Sequence, residues 1–208
     1  MPSVGAQVTP DFIYLASQSP RRAQLLGQLG IRHELLLAEP GEDAEALEAV
    51  LPGESPTAYV QRVTGLKLDA AVARREQRGL PPAPILCADT TVALGRTILG
   101  KPEGARDAER MLAMLSGHTH RVMTAIALQH GAERGALLNV SHVSFAPIDD
   151  GQIAAYVATG EPLGKAGAYA IQGRAAAFIE HISGSHSGIM GLPMFETARL
   201  LRQAGFRL

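Results

Sequence analysis

The sequence predicts a mixed α/β fold, and three observations lead to that prediction. Short apolar runs such as FIYLA at 12–16 are typical of buried strands. They alternate with segments whose apolar residues recur at helical spacing, of which 57–76 is the longest. The alternation lacks strict strand–helix–strand regularity, which favours a mixed sheet. With 208 residues, the chain is long enough for one large domain or two small lobes.

The first predicted strand and helix meet at the segment LASQSPRR. Residues 12–16 form the strand, and residues 1–10 before it are interpreted as a flexible tail. Ser19 suits the N-cap of a helix, and Pro20 suits its first position, where the missing N–H has no helical partner anyway. Leucines then recur at helical spacing, and Gly30 is expected to end the helix.

A second strand and the best-defined helix follow. ELLLA at 34–38 is the predicted strand, and the acidic segment 39–54, broken by Pro and Gly, is loop at least at its ends. Ser55 and Pro56 repeat the pattern that starts a helix. The stretch 57–76 then places its apolar residues on one face, which predicts a long helix.

The second half of the chain continues the mixture of strands and helices. A strand is expected near 85–94, followed by a hairpin turn at Gly95 and Arg96. The remaining predicted elements are strands within 120–130 and 136–148 and helices within 103–117, 149–160 and 193–204. No internal repeat or low-complexity segment interrupts this pattern.

Composition and charge exclude several classes of protein. The 19 Lys and Arg residues are balanced by 20 Asp and Glu residues, which argues against a protein that coats nucleic acid. No apolar run approaches the roughly 20 residues of a membrane helix, and the N-terminus lacks the pattern of a secretory signal. Cys87 is the single cysteine, so no intramolecular disulfide can form. We therefore expect a cytoplasmic protein without a membrane or nucleic-acid partner.

The junction of the first strand and helix is a candidate phosphate site. It carries two hydroxyl groups and two cations, from Ser17, Ser19, Arg21 and Arg22. The first turn of a helix has unpaired backbone N–H groups and a partial positive charge. Hydroxyl and guanidinium groups added there can bind phosphate oxygens. The alternative is an ordinary N-cap followed by two solvated arginines.

Asp89 is the candidate for the chemical step. It ends the apolar run PILCA and is followed by Thr90. A carboxylate at that place can hold a divalent metal ion or act as a general base, and the alternative is an aspartate that caps a turn. Glu42 or Asp43 of the acidic segment can supply a second oxygen ligand to a metal.

Three lysines and a glutamine are further candidates. Lys101 and Lys165 each follow a glycine, which lets a ligand approach closely. Lys67 lies near the apolar side of the long predicted helix. The amide of Gln172 can both donate to and accept from the edge of a base. The alternatives are solvated or snorkelling lysines and a glutamine bonded within a turn.

Taken in order, these motifs resemble the Maf family of nucleotide pyrophosphatases. The motifs are LASQSPRR, a helical lysine, ADT, LGKP, LSGHTHRVMTA, EPLGKAGAYAIQG and SGSHSGIMGLP. The resemblance implies one domain over 11–208, with two lobes around a cleft and a fold similar to inosine triphosphate pyrophosphatases. It implies hydrolysis of nucleoside triphosphates between the α and β phosphates, with a divalent metal ion such as Mg²⁺, Mn²⁺ or Co²⁺. It also implies a homodimer.

Within the family, KAGAY followed by IQG is similar to the branch that acts on dTTP and UTP. Arg21, Thr90 and Gln172 match positions linked to substrate choice in that branch. Asp89 matches the residue assigned as proton acceptor.

A mechanism follows from these matches as a hypothesis. The serines and arginines of LASQSPRR hold phosphate oxygens, while Lys67, Lys101 and Lys165 offset charge on the pyrophosphate leaving group. Asp89 takes a proton from the attacking water or holds the metal that activates it, and the sequence does not separate these roles.

The chain departs from the family pattern at three places. Gly164 stands where the branch often has Asp, and His186 stands where an aromatic residue is common. The acidic pair follows Gly41, so it is open whether Glu42 or Asp43 reaches the metal. Two other functions stay open: a pyrophosphatase for another nucleotide, such as 7-methyl-GTP, and a nucleotide-binding regulator linked to septum formation.

Overall fold

One mixed sheet organises the protein. The computed structural model describes residues 11–39, 42 and 46–208. The strands within these residues are β1 (Ile13–Leu15), β2 (His33–Leu35), β3 (Ile85–Leu94), β4 (Thr97–Leu99), β5 (Thr119–His130), β6 (Glu133–Phe145) and β7 (Ile179–Ser183). Their order across the sheet is β2-β1-β3-β5-β6-β7, and β4 pairs with β3 beside this path. β1 runs parallel to β2 and β3, and the other pairs are antiparallel. The predicted mixed α/β fold is confirmed.

Six α-helices and three short 3₁₀ helices are found among the described residues. The α-helices are α1 (Pro20–Gln28), α2 (Pro56–Gln77), α3 (Ala105–Leu115), α4 (Asp150–Val157), α5 (His186–Met190) and α6 (Met194–Gln203). The 3₁₀ helices are Ala46–Glu48, Ala166–Ala168 and Arg174–Phe178. None of these helices is long and apolar enough to cross a membrane.

The two long faces of the sheet are covered by different helices. On one face, Leu68 of α2 clusters with buried side chains of β1, β3 and β5, Cys87 among them. On the other face, leucines of α1 and α6 cluster with side chains that include Ala88 of β3. Successive side chains of a strand point to opposite faces. Asp89 therefore faces α2, as Cys87 does, and Thr90 faces the same side as Ala88.

The starts of α1 and α2 follow the same sequence pattern with different results. The hydroxyl of Ser55 accepts a hydrogen bond from the backbone N–H of Ala58 at 3.2 Å, which caps α2. Ser19 lies at the N-cap of α1 ahead of Pro20, as predicted, but its hydroxyl makes no capping bond. Pro20 has no N–H, and Arg22 and Ala23 donate theirs to the carbonyl oxygen of Ser19. Within the described part of the first turn, the N–H of Arg21 is therefore left for another partner.

The stretch between the helices predicted within 149–160 and 193–204 differs from the prediction, which gave it no regular element. It contains β7, which pairs with the end of β6, and the short helix α5. β7 is partly exposed along its length, so it lacks the continuous apolar run of a buried strand. α5 has five residues, too few to show a helical period.

One smaller difference concerns the first half of the chain, where the second strand covers His33–Leu35 rather than 34–38. The 3₁₀ helix Ala46–Glu48 lies in the middle of the acidic segment, for which loop was predicted at the ends. The predicted tail at 1–10 lies outside the described residues. The division of 11–208 into two lobes stays a prediction.

Candidate active site

A cleft of about 540 Å³ is lined by the end of β1, the start of α1, the middle of β3 and the loop at 164–172. The structure brings ten of the predicted site residues to this cleft: Ser17, Ser19, Arg21, Arg22, Lys67, Asp89, Thr90, Lys101, Lys165 and Gln172. Two predicted residues are not among them. Asp43 lies outside the described residues, and Glu42 is not part of the cleft lining, although Arg74, which binds it, is.

Lys67 joins two carboxylates in the cleft. Its Nζ donates to Oδ1 of Asp89 at 2.6 Å and to Oε1 of Glu48 at 2.7 Å. The Nζ of Lys101 donates to the other oxygen of Glu48 at 3.1 Å. Two ammonium groups and two carboxylates thus form one connected network on the face of β3 that α2 covers.

The charges of this network reinforce one another. Burial acts to lower the pKa of Lys67, but Asp89 and Glu48 outweigh it, so the pKa of Lys67 is raised. Burial acts to raise the pKa of Glu48, but the hydrogen bond and charge of Lys67, with Lys101 added, outweigh it and lower that pKa. Lys67 and Glu48 are both ionised at neutral pH.

Glu48 is the residue that the sequence prediction missed. It ends the 3₁₀ helix Ala46–Glu48 in the acidic segment, which contains several other acidic residues that were equally plausible candidates. The available cue was position, because Glu48 lies within ALEAVL, the apolar part of that segment. Apolar neighbours favour an ordered turn packed on the protein over a solvated loop.

Glu42 is bound by a different cation. The Nε of Arg74 lies 3.0 Å from Oε1 and 2.9 Å from Oε2 of Glu42, and Arg74 also donates to the carbonyl oxygen of Leu36 at 3.1 Å. The hydrogen bond from Arg74 lowers the pKa of Glu42 to about 2. The assignment of Glu42 to a metal stays a prediction, and the contact observed here is with α2.

The two arginines of α1 have different surroundings. Arg22 donates to the carbonyl oxygen of Gly191 at 2.8 Å. It also donates to Oγ of Ser17 at 3.1 Å and to Oγ1 of Thr90 at 3.2 Å. The buried Nε of Arg21, by contrast, has no hydrogen-bond partner among the described residues. A buried guanidinium donor without a partner, beside a cleft, is suited to bind an oxygen of a ligand.

The serines complete this end of the cleft. The Oγ of Ser17 accepts from the backbone N–H of Ser19 at 3.2 Å as well as from Arg22. Ser17 therefore fixes the turn that leads into α1. The hydroxyl of Ser19 makes no capping bond and lines the cleft together with Arg21.

The loop that carries Lys165 and Gln172 is held in an unusual conformation. Gly167 and Ala168 are both left-handed, with φ of 68° and 60°, and the value is strained for alanine. The N–H of Gly167 donates to the carbonyl oxygen of Gly100 at 3.0 Å, which ties this loop to the one that carries Lys101. A side chain at Gly167 would collide with β3, because its Cβ would lie 2.8 Å from Cγ1 of Val92.

A buried aromatic cluster anchors the same loop. The hydroxyl of Tyr169 lies 2.8 Å from Nε2 of His120 on β5. The rings of His120, Phe145 and Tyr169 pack edge to face with centroids 5.0–5.4 Å apart. Burial lowers the pKa of His120 to about 4, so its ring is neutral at neutral pH.

Lys165 and Arg21 both line the cleft and carry the same positive charge. Burial is the main cause that lowers the pKa of Lys165, and the charge of Arg21 adds to it. The repulsion between the two cations is relieved when an anion binds between them. No three His, Cys, Asp or Glu side chains gather into a metal cluster within the described ranges.

Comparison with known proteins places this architecture in a family. The model of the family described as Maf-like protein matches residues 12–204, and the protein belongs to this family. The resemblance found in its motifs is confirmed.

Curated relatives cover nearly the whole chain. A dTTP/UTP pyrophosphatase of Polaromonas is 66% identical over 95% of this chain and 98% of the relative. Proteins of the same name from Albidiferax ferrireducens and Cupriavidus metallidurans are each 67% identical. They cover 95% and 94% of this chain and 99% and 98% of their own length. A crystal structure of a nucleoside-triphosphatase / dITP/XTP pyrophosphatase from Mycobacterium abscessus covers 65% of this chain and 75% of its own, at 18% identity and a TM-score of 0.39.

Proposed function

We propose that this protein is a nucleoside triphosphate pyrophosphatase that hydrolyses dTTP and UTP to the nucleoside monophosphate and pyrophosphate. One observation carries the proposal: a single cleft combines the Lys67-bound carboxylate of Asp89 with an unpaired guanidinium donor of Arg21 and the ammonium groups of Lys101 and Lys165. The substrate follows from the relatives of 66% and 67% identity that carry the name dTTP/UTP pyrophosphatase.

The positive groups would hold the triphosphate and stabilise the leaving group. Hydrolysis of a phosphoanhydride depends mainly on positioning and on charge stabilisation by the surrounding groups. The start of α1, with Ser19 and Arg21, would bind phosphate oxygens. Lys101 and Lys165 would offset the charge that develops on pyrophosphate as it departs. Arg22 would act by holding Ser17 and Thr90 in place, since its donors already meet protein oxygens.

Asp89 would accept the proton of the attacking water. Lys67 donates to its Oδ1, which fixes the orientation of the carboxylate, and we assign the water to Oδ2. This bond joins Asp89 of β3 to α2 and fixes the carboxylate, which lines the cleft, before substrate arrives. Preorganised groups of this kind avoid a cost of reorientation during the reaction.

A divalent metal ion fits the carboxylates of Asp89 and Glu48. Mg²⁺ and Mn²⁺ prefer oxygen ligands, and Mg²⁺ is commonly bound by one or two carboxylates together with the phosphates of a substrate. The two carboxylates already share one cationic group, the Nζ of Lys67, so they lie close enough to act on one charge. When bound, the metal would neutralise charge on the phosphate oxygens.

The base would be selected by Thr90 and Gln172, with Arg21 nearby. Hydrogen-bonding groups of a site reject a base that leaves them unpaired, which gives discrimination. Gln172 is exposed on the loop that Tyr169 anchors, and Thr90 lines the same cleft from β3. These two residues therefore approach one ligand from different elements of the fold.

Two further parts of the proposal concern the whole molecule. We assign the protein to the cytoplasm, as its single cysteine favours, and to a homodimer, as the resemblance implies. Light scattering of the purified protein would test the dimer, since the two states differ twofold in mass.

A substrate panel tests the proposed function. The purified protein would be given dTTP, UTP, CTP, ITP, GTP and 7-methyl-GTP with Mg²⁺, Mn²⁺ or Co²⁺, and monophosphate, pyrophosphate and free phosphate would be measured separately. We expect monophosphate and pyrophosphate from dTTP and UTP. Diphosphate and free phosphate would place the cleavage at another bond. Preferred turnover of 7-methyl-GTP would contradict the substrate, and binding without turnover would support a nucleotide-binding regulator instead.

A further inference from the structure

Thr90 belongs to a chain of hydrogen bonds whose direction is fixed at its far end. The Oγ1 of Thr124 on β5 lies 2.7 Å from the carbonyl oxygen of Gly188, and a carbonyl oxygen only accepts. Thr124 must therefore donate its single hydroxyl proton to Gly188. The side chain of Thr124 is buried in full, with 1% exposure, so no water competes for this proton.

The carbonyl group of Gly188 is itself held in place. The N–H of Gly188 donates to Oγ of Ser185 at 3.0 Å, within α5. A side chain at Gly188 would meet Oδ1 of Asn139 at 2.6 Å, so only glycine allows this approach to β6. Apart from Gly191, the SGSHSGIMG motif has no role in the cleft as described above. It supplies a fixed acceptor for Thr124.

The direction of the next bond follows. The Oγ1 atoms of Thr90 and Thr124 lie 2.9 Å apart, and the distance alone allows either one to donate. Because the proton of Thr124 is already used, Thr90 donates to Thr124. Arg22, which has donors only, then gives its Nη2 proton to Oγ1 of Thr90 at 3.2 Å. The hydroxyl proton and one lone pair of Thr90 are thus engaged, and the other lone pair of this cleft-lining residue has no donor among the described residues.

We propose that Thr124 is a positioning residue for base choice, because it holds the proton of Thr90 away from the cleft and leaves Thr90 able only to accept. The matching ligand group is an N–H in the ring of a base. Uracil and thymine carry such an N–H at N3, whereas N3 of cytosine has a lone pair that would face the lone pair of Thr90. The inference rests on the proposed function and names the chemical feature by which the site rejects cytosine.

The test removes the hydroxyl of Thr124 without changing its shape. In Thr124→Val, Thr90 loses the group to which it donates, and its proton is free to turn toward the cleft. We expect the ratio of kcat/KM for UTP over CTP to fall about tenfold, which is the value of one hydrogen bond. Thr124→Ser keeps the hydroxyl and should keep the ratio within about twofold.

Thr91→Val is the matched control. Thr91 is buried on β3, next to Thr90, and its Oγ1 has no hydrogen-bond partner among the described residues. The same substitution there removes no bond of this chain. A ratio in Thr124→Val that equals the ratio in Thr91→Val would overturn the proposal.

A measurement on the unchanged protein covers the case in which Thr124→Val does not fold. N3-methyl-UTP lacks the N–H, and we expect its kcat/KM to lie at least about tenfold below that of UTP. Equal values would overturn the proposal. If the protein turns over no nucleotide, the proposed function fails. Calorimetric binding of α,β-methylene analogues of UTP and CTP to the wild type and to Thr124→Val then tests the inference, since the preference for the uracil analogue should be smaller in the variant. An equal preference in both proteins would overturn the proposal.

Discussion

Lys67 and Asp89 are joined by a hydrogen bond of 2.6 Å between Nζ and Oδ1, which crosses from helix α2 to the central strand β3. The same ammonium group binds Glu48 at 2.7 Å, so one cation holds two carboxylates in place. In a cleft built for an anionic substrate, this arrangement keeps negative charge oriented and balanced before the substrate binds.

Removing the cation of this network should slow the reaction and shift its pH dependence. We expect Lys67→Met to lower kcat for dTTP by about 100-fold or more, because oriented charge is lost at the reacting centre. Two carboxylates without a shared cation repel, which raises the pKa of Glu48, so the acid limb of the pH–rate profile should move to higher pH.

The control for this variant is Lys101→Met. Among the described residues, Glu48 is the side chain to which Lys101 donates, and Lys101 is more exposed, with a side-chain exposure of 52% against 21% for Lys67. It should shift the acid limb less than Lys67→Met does.

The ionisation of Glu48 also makes the stability of the fold depend on pH. The pKa of folded Glu48 lies below its unfolded value, so its ionised form stabilises the fold above about pH 4.5. That stabilisation is lost as the pH falls through the folded pKa.

The two arginines of α1 should respond differently to the same substitution. Arg21→Gln removes an unpaired donor, so we expect KM for dTTP to rise about tenfold or more with little change in melting temperature. Arg22→Gln breaks three bonds to the protein, so we expect the free energy of unfolding to fall by about 3 kcal/mol. Steady-state kinetics and denaturant unfolding of both variants give the comparison. A rise in KM in Arg22→Gln together with a loss of stability in Arg21→Gln would contradict the prediction, since Arg22 would then bind the substrate and Arg21 the protein.

Glu48 and Glu42 offer a matched test of metal binding. We expect Glu48→Gln to weaken Mn²⁺ binding about tenfold or more, measured by calorimetry in the presence of an α,β-methylene dTTP analogue. Glu42→Gln should leave Mn²⁺ binding unchanged, since the carboxylate of Glu42 is bound by Arg74. A larger loss in Glu42→Gln than in Glu48→Gln would support the assignment made from the sequence.

Glu42→Gln has a second expected effect, on stability. The hydrogen bond from Arg74 lowers the pKa of Glu42 to about 2, so this pair stabilises the fold above about pH 4.5. The contribution is lost between about pH 4.5 and pH 2. The difference between wild type and variant in unfolding free energy should therefore shrink over that interval. A difference that does not change with pH would show that the pair contributes no electrostatic stabilisation.

The buried histidine should make the fold sensitive to mild acid. Burial lowers the pKa of His120 to about 4, while an unfolded histidine titrates near pH 6.5. The unfolded chain therefore binds more protons, and His120 costs stability as the pH falls from about 6.5 to about 4. The full loss is of the order of 3 kcal/mol.

His120→Phe isolates this effect. The phenylalanine keeps the ring packing with Phe145 and Tyr169 but loses the hydrogen bond to the tyrosine hydroxyl, which should cost about 1 kcal/mol at pH 7. As the pH falls toward 4, the wild type should lose that advantage and become the less stable protein. His118→Gln, at an exposed site two residues away, is the control. Parallel stability curves for wild type and His120→Phe would contradict the prediction.

Most of the fold was accessible from the sequence because most of its elements carry a local pattern. The strand β3 begins with the apolar run ILCA and is followed by a turn, and the 22-residue helix α2 begins with the helix-start pattern of Ser55 and Pro56. β7 and α5 were not accessible. β7 is an edge strand that gains its order by pairing with β6, and α5 is held by contacts with distant strands.

The candidate site was predicted to a similar extent and for a related reason. Asp89, Lys67 and the LASQSPRR segment stand in recognisable motifs, and the fold brings them to one cleft. Glu48 has no motif of its own, since only the packing of a 3₁₀ helix against α2 carries it to Lys67. The different tasks of Arg21 and Arg22 were equally hidden, because adjacent identical residues differ only in what the tertiary structure places beside them.

The turnover of dTTP by Asp89→Asn tests most directly whether Asp89 is the catalytic base. The amide keeps the size of the side chain but does not accept a proton from water. We expect kcat to fall by about 1,000-fold or more, with a folded protein by circular dichroism and nucleotide binding retained. Turnover near that of the wild type would remove Asp89 from the mechanism and contradict the assignment of this cleft as the active site.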